Sequence, residues 1–211
     1  MIRILIKSAR GFWGEQKGSL SVEAAIVMPL LFWAITATFT FFHAYKAQTG
    51  AYRANYTISD ILSRETSQIG PGYLSGLHNV YQYMTLAQTE GTWLRLTVVR
   101  CLDKCTQDDR ELDIMWSRST NGARQLANVD VDFWEPKVPW VPKGDSLILL
   151  ETSSNYEPPF TNFLLSFPNR TLVSHSITRP RFAPQLLWVG MSVGDDGIVV
   201  IDEIPDDGEP I

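Results

Sequence analysis

Gly18-Ser19-Leu20-Ser21-Val22-Glu23-Ala24-Ala25-Ile26-Val27-Met28-Pro29-Leu30-Leu31-Phe32-Trp33 is the stretch that decides how this chain is organised. From Ala24 to Ala44, 21 residues carry no formal charge. As a helix rising about 1.5 Å per residue, such a run crosses an apolar slab about 30 Å thick. Glu23 stands at its edge. A carboxylate costs roughly 2.5–3.5 kcal/mol at the centre of an inserted helix, and less toward the interface. An amine freed at Ser19 by a cut after Gly18 is a natural partner to offset that cost.

Outward from the run, the flanks carry opposite instructions. Arg3, Lys7, Arg10 and Lys17 precede Gly18 against a single acid, Glu15, whereas only Lys46 and Arg53 follow closely. The basic excess holds residues 1–18 in the cytoplasm and places residues 46–211 outside it. A removed secretory signal is the competing reading. Against it, the run is longer than a signal core and no small-x-small site follows cleanly before His43-Ala44-Tyr45-Lys46. Pro29 lies inside the span, where it removes a hydrogen bond to Ala25 and favours a kink.

The helix is expected to continue beyond the span. Ala44, Ala47, Ala51, Ala54, Ile58 and Ile61 recur at alternating spacings of three and four, which places them on one face. That stripe packs on its own domain's core or bundles with neighbouring subunits, and core packing is the commoner use. Gly70-Pro71-Gly72 is expected to end the helix. Leu77, Val80, Tyr81 and Met84 suggest a short amphipathic helix after it.

Further on, the pattern turns to β. Leu94, Leu96 and Val98 alternate with Arg95, Thr97 and Val99, as in a half-buried strand. Leu112, Ile114 and Trp116 repeat this, and the two runs pair through Gln107-Asp108-Asp109. Ser146 to Leu150 and Thr171 to Thr178 are further strands, and Ile198 to Ile204 an edge strand. Pro136 to Pro142 holds three prolines and reads as a connector. The fold class is therefore α+β: a long N-terminal helix, transmembrane in its first half, packed on a small antiparallel sheet. Five regions result: 1–18, a basic cytoplasmic leader; 19–45, the span; 46–70, the helix continuation; 71–194, an extracytoplasmic α+β domain; 195–211, an acidic tail.

Composition excludes several classes. The formal net charge is −5, with a sequence pI of about 5.2 and the basic excess confined to the leader. No basic-aromatic face is available to meet phosphates, so nucleic acid is not an expected partner. The three histidines, His43, His78 and His175, show no metal-ligand spacing. Ser19-Leu20-Ser21 lacks a nucleophile-elbow context, and no phosphate-cradling glycine loop occurs. No catalytic residue, metal or cofactor is expected. Asp195-Asp196-Gly197 with Asp202, Glu203, Asp206, Asp207 and Glu209 lacks calcium-loop spacing and reads as a solvated tail.

Cys101 and Cys105 are the two cysteines. Outside the cytoplasm an even count reads as a disulfide, with free thiols the alternative. In an extended strand their Cα atoms would lie about 13 Å apart, beyond the roughly 4.4–6.8 Å a bridge spans. A bridge therefore requires a turn at Leu102-Asp103-Lys104.

Taken together, the glycine, the glutamate five residues on and the apolar helix resemble the leader junction of type IV pilin-like precursors. The longer stretch Glu15 to Leu30 resembles the TadE-like pseudopilins of the tight-adherence, or Flp pilus, secretion machinery. Gly144-Asp145-Ser146-Leu147-Ile148-Leu149-Leu150-Glu151, Tyr156-Glu157-Pro158 and Ile177-Thr178-Arg179-Pro180-Arg181 are similar to the distal part of that family. The resemblance implies a pilin-like architecture in which Pro29 belongs to the pattern. It also implies a cleavage site at Gly18 and Ser19 read by a prepilin peptidase, and a role for Glu23 in assembly. The implied partners are that peptidase, other pilus subunits and pseudopilins, and the bacterial inner membrane, with the C-terminal domain periplasmic.

Overall fold

The structure, a computed structural model, describes residues 19–86, 91–107, 110–159, 169–193 and 199–201. Helix α1 runs Ser19–Arg64 and α2 runs Pro71–Thr85. Strands β1 (Trp93–Asp103) and β2 (Glu111–Ser119) follow. A short helix α3 (Val131–Trp134) lies in the segment leading to β3 (Ser146–Tyr156) and β4 (Arg170–Thr178). Two short strands, β5 (Met191–Val193) and β6 (Val199–Ile201), complete the order. The chain falls into two compact units that divide within α1 between Tyr45 and Lys46.

The main sheet has the order β2-β1-β3-β4 with every pair antiparallel. This is an α+β arrangement. β5 and β6 pair with each other in a separate ribbon, so the Val199–Ile201 segment does not edge the main sheet.

Both faces of the sheet are covered. Successive strand residues point to opposite faces, and here Ile148 and Leu150 pack in one apolar cluster while Leu147 and Leu149 pack in another. The first cluster includes Ala54, Ile58, Leu62, Leu74, Leu77 and Tyr81, from the second half of α1 and from α2. The second is closed by Trp134, Val138 and Val141, so the proline-bearing connector is a lid over the sheet. Strand β1 is consequently buried on both sides, Thr97 and Val99 included, where alternation alone predicts a half-buried strand.

Four expectations are displaced. The buried stripe of α1 passes through Ala51, Ala54 and Ile58 but then takes Leu62, leaving Ile61 38% exposed. A helix of 3.6 residues per turn drifts against a 3.5-residue spacing, so the seam steps one residue onward. α1 also ends at Arg64, and Pro71 occupies the first turn of α2, where its missing N–H costs nothing. On α2 the buried face is Leu74, Leu77, His78 and Tyr81, while Val80 and Met84 face solvent. In β2 the pairing shifts between Val98↔Trp116 and Val99↔Ile114. This bulge puts Met115 and Trp116 against the helix-side cluster, opposite to Leu112 and Ile114.

Candidate functional site

The first half of α1 is the segment on which the functional expectation rests. Gly18 lies outside the described residues, and Ser19, the first described residue, is already helical. Glu23, one turn on, is exposed, and the helix continues unbroken through Pro29. Ile26, Met28, Leu30, Phe32, Phe41 and Phe42 are each more than half exposed. Large apolar side chains displayed around a helix call for an apolar surrounding. The hydroxyls of Thr36, Thr38 and Thr40 each donate to the carbonyl four residues earlier, at 2.8 Å. These polar groups are thus satisfied within the helix, as a lipid environment demands. By length and composition this one N-terminal helix is apolar enough to span a membrane.

Two of the distal motifs, 144–151 and 177–181, meet at one end of the sheet, whereas Tyr156 pairs with Arg170 at the other. Gly144 holds φ +84, a left-handed conformation that glycine adopts without a Cβ clash, and its N–H donates to the Cys101 carbonyl at 2.9 Å. Asp145 pairs with Arg179. The Ser146 hydroxyl donates to the Pro184 carbonyl at 2.9 Å. The Arg181 N–H donates to the Ser63 carbonyl at 2.7 Å, and its guanidinium lies 3.6 Å from the Asp60 carboxylate. Motif residues far apart in sequence thereby tie β3 and β4 to the last turns of α1.

Glu151 in β3 faces Arg95 in β1 across the strands. The contact is bidentate: Arg95 Nε donates to Oε2 at 2.6 Å and Nη2 to Oε1 at 2.7 Å. The carboxylate side chain is 5% exposed. Arg95 Nη1 also donates to the Arg124 carbonyl at 2.7 Å, and Arg124 pairs with Asp130 at 2.5 Å. The pair therefore fixes the loop after β2. Sequence reasoning picked out Glu151 within a motif and Arg95 within an alternating strand, without connecting them.

Cys101 and Cys105 are joined in a disulfide with Cα atoms 5.8 Å apart, and the chain turns at Lys104 with φ +52. Both cysteines are buried in the second apolar cluster. The histidines lie apart. His43 is on the exposed face of α1, and His175 on β4 meets the Trp134 ring edge-on at 5.6 Å. His78 is buried, with Nε2 3.1 Å from the Thr92 hydroxyl, and burial lowers its pKa. Burial and the nearby Glu65 carboxylate push the Tyr73 hydroxyl up to about 12. Glu65 is held below its usual range chiefly by the Ser67 N–H, then by Tyr73. Among the described residues no three His, Cys, Asp or Glu side chains converge as a metal site. The acidic residues from Asp195 onward lie outside the described residues.

No protein-family model matches this chain, and no curated protein or solved structure is significantly similar to it.

Proposed function

We propose that the chain is a minor pseudopilin: a membrane-anchored, non-catalytic component of tight-adherence (Flp) pilus assembly, processed by a prepilin peptidase. The observation that carries this reading is α1 itself. It displays apolar side chains through Phe42 and then buries its second half on an α+β domain. In the sequence the Gly18-Ser19 junction lies about one helical turn before Glu23, at the edge of that apolar stretch. In this reading the N-terminus is cytoplasmic, the domain is periplasmic, and the partners are other pilus subunits and pseudopilins.

Cleavage frees an amine at Ser19, about 6 Å along the helix axis from Glu23. The amine of an adjacent subunit competes for the same carboxylate and so sets the stagger between subunits. Both groups lose hydration in pairing, so the pair acts on register more than on raw stability.

N-terminal sequencing of membrane fractions with and without the peptidase tests the proposal. A mature N-terminus at Ser19 is expected, and Gly18→Val blocks it if the glycine pocket is small. An intact Met1 in both fractions supports instead an unprocessed single-pass envelope protein with a partner-binding periplasmic domain. A cut near Ala44 identifies a removed signal and ends both readings.

A further inference from the structure

Arg110 sits immediately before β2, and its side chain is only 6% exposed. Its Nη2 donates to the Glu135 carbonyl, which fixes the guanidinium plane. Nε and Nη1 have no hydrogen-bond acceptor among the described residues. The Glu135 carboxylate approaches Nε at 3.8 Å, close enough for an ion pair and too far for a hydrogen bond. A buried donor left unmade costs about 1–3 kcal/mol, so the arrangement favours anything that supplies an acceptor.

These groups line an open cleft of about 610 Å³ together with Pro136, Val138, Pro139 and Trp140. Small-ligand sites occupy about 300–1,000 Å³. Trp140 is 65% exposed, in contrast to Val138 and Val141, which anchor the same segment in the sheet's second core. The fold thus uses the valines for packing and leaves the indole as a wall of the cleft.

The chemistry restricts what the cleft takes. A carboxylate would accept from Arg110 but meets the Glu135 charge. An ammonium group would suit Glu135 but meets the guanidinium. Lys137, two residues after Glu135, lies over the Phe133 and Trp134 rings at 3.5 and 4.4 Å from their centroids. A hydroxyl fits between the two charges, because it accepts from Arg110 and donates to Glu135. A ligand that adds an apolar face for the Trp140 ring to several hydroxyls is a saccharide.

We propose that the Arg110–Glu135–Trp140 cleft is a saccharide-binding site, with sugar hydroxyls bridging the guanidinium and the carboxylate while a pyranose face stacks on the indole. Binding in solution does not depend on how the N-terminus is processed, so this proposal stands or falls separately from the pseudopilin reading.

The test is calorimetric titration of the full chain, held in a detergent without a sugar headgroup, with chitotriose, cellotriose and maltotriose. A proline-rich peptide is titrated in parallel. Saturable binding of at least one trisaccharide is expected, weakened at least about tenfold by Trp140→Ala and by Arg110→Gln. Tyr83→Ala, exposed on α2 and outside the cleft, leaves it unchanged. Trp140→Ala removes an exposed side chain, so it remains informative if Arg110→Gln fails to fold. Absence of binding by all three sugars means that water alone bridges the pair and overturns the proposal. So does binding that Trp140→Ala leaves intact, or binding of the peptide alone.

Discussion

Replacing Arg95 by methionine removes the partner of a carboxylate that is 5% exposed and keeps most of the apolar stem in place. Burial decides the size of the effect. Exposed ion pairs contribute about 0–1 kcal/mol, whereas stranding one member of a buried pair costs about 3–5 kcal/mol. Arg95→Met leaves both Glu151 oxygens without the donors they have at 2.6 and 2.7 Å, and releases the Arg124 carbonyl. The expected loss is about 3–5 kcal/mol. Glu151→Leu strands the guanidinium in turn; Arg95 is 14% exposed, so part of its charge reaches water and the loss falls at the lower end. The double substitution leaves no unpaired charge, and the cycle should give a coupling energy of about 2–3 kcal/mol. Urea denaturation in micelles, followed by tryptophan fluorescence, measures all four corners. Single losses below about 1 kcal/mol, or strictly additive ones, would show that water reaches the pair and refute the reasoning.

Three other perturbations have defined outcomes. His78 is buried and its pKa lies below the ordinary 6.5, so the unfolded chain binds more protons between those two values and stability rises with pH there. The urea midpoint should fall as pH drops from about 7 to about 5, and His78→Gln should flatten that slope; an unchanged slope counts against the assignment. The carboxylates Glu65, Asp103 and Asp130, with lowered pKa values, contribute fully above their ordinary values of 4.5 and 3.8 and lose that contribution only as pH falls below them, outside this window. Reducing the Cys101–Cys105 bridge, which closes a very short loop, should cost about 2 kcal/mol by chain entropy, read as a shift in urea midpoint; a loss above about 4 kcal/mol would mean that the bridge also holds the lid. Glu23→Gln should leave insertion and cleavage intact while reducing co-purification with other pilus subunits, and wild-type assembly by this variant would make Glu23 a tolerated flank.

Strands and helices were legible where one local period dominates. The alternation around Leu94–Val99, the apolar run Leu147–Leu150 and the uncharged stretch after Glu23 each report a single environment. Legibility failed where a residue serves a distant partner. Glu151-Thr152-Ser153-Ser154 looks like the end of a strand, yet β3 continues through it to Tyr156 because those polar side chains are buried. Asn55 on α1 donates to the Thr152 hydroxyl at 2.9 Å and to the Ser174 carbonyl at 3.4 Å, a match that no local window contains. Pro71 carried a true signal with two meanings, since proline stops one helix and starts the next. The Arg110 cleft had only a faint trace, a tryptophan among the prolines of 136–142, with the arginine far off in sequence among acidic residues. Its donors become significant once the lid has buried them.

Helix α1 shows how one element meets two sets of demands with different side-chain chemistry. Before Tyr45 the Thr36, Thr38 and Thr40 hydroxyls turn back onto their own backbone, which leaves the outer surface free to be apolar. After Lys46 the Thr57 and Ser63 hydroxyls still return to their own helix, but buried polar residues now join the seam. Asn55, Ser59 and Ser63 are buried beside Ala54, Ile58 and Leu62, and Asn55 finds its partners on β3 and β4. A purely apolar seam would pack equally well one turn up or down, because dispersion and burial are indifferent to register. The Asn55 NH2 group reaches both acceptors in only one register, since a slip would strand it at a cost of about 1–3 kcal/mol. The polar residues in the second half therefore set where the domain sits along the helix, and the apolar residues supply the energy that holds it there.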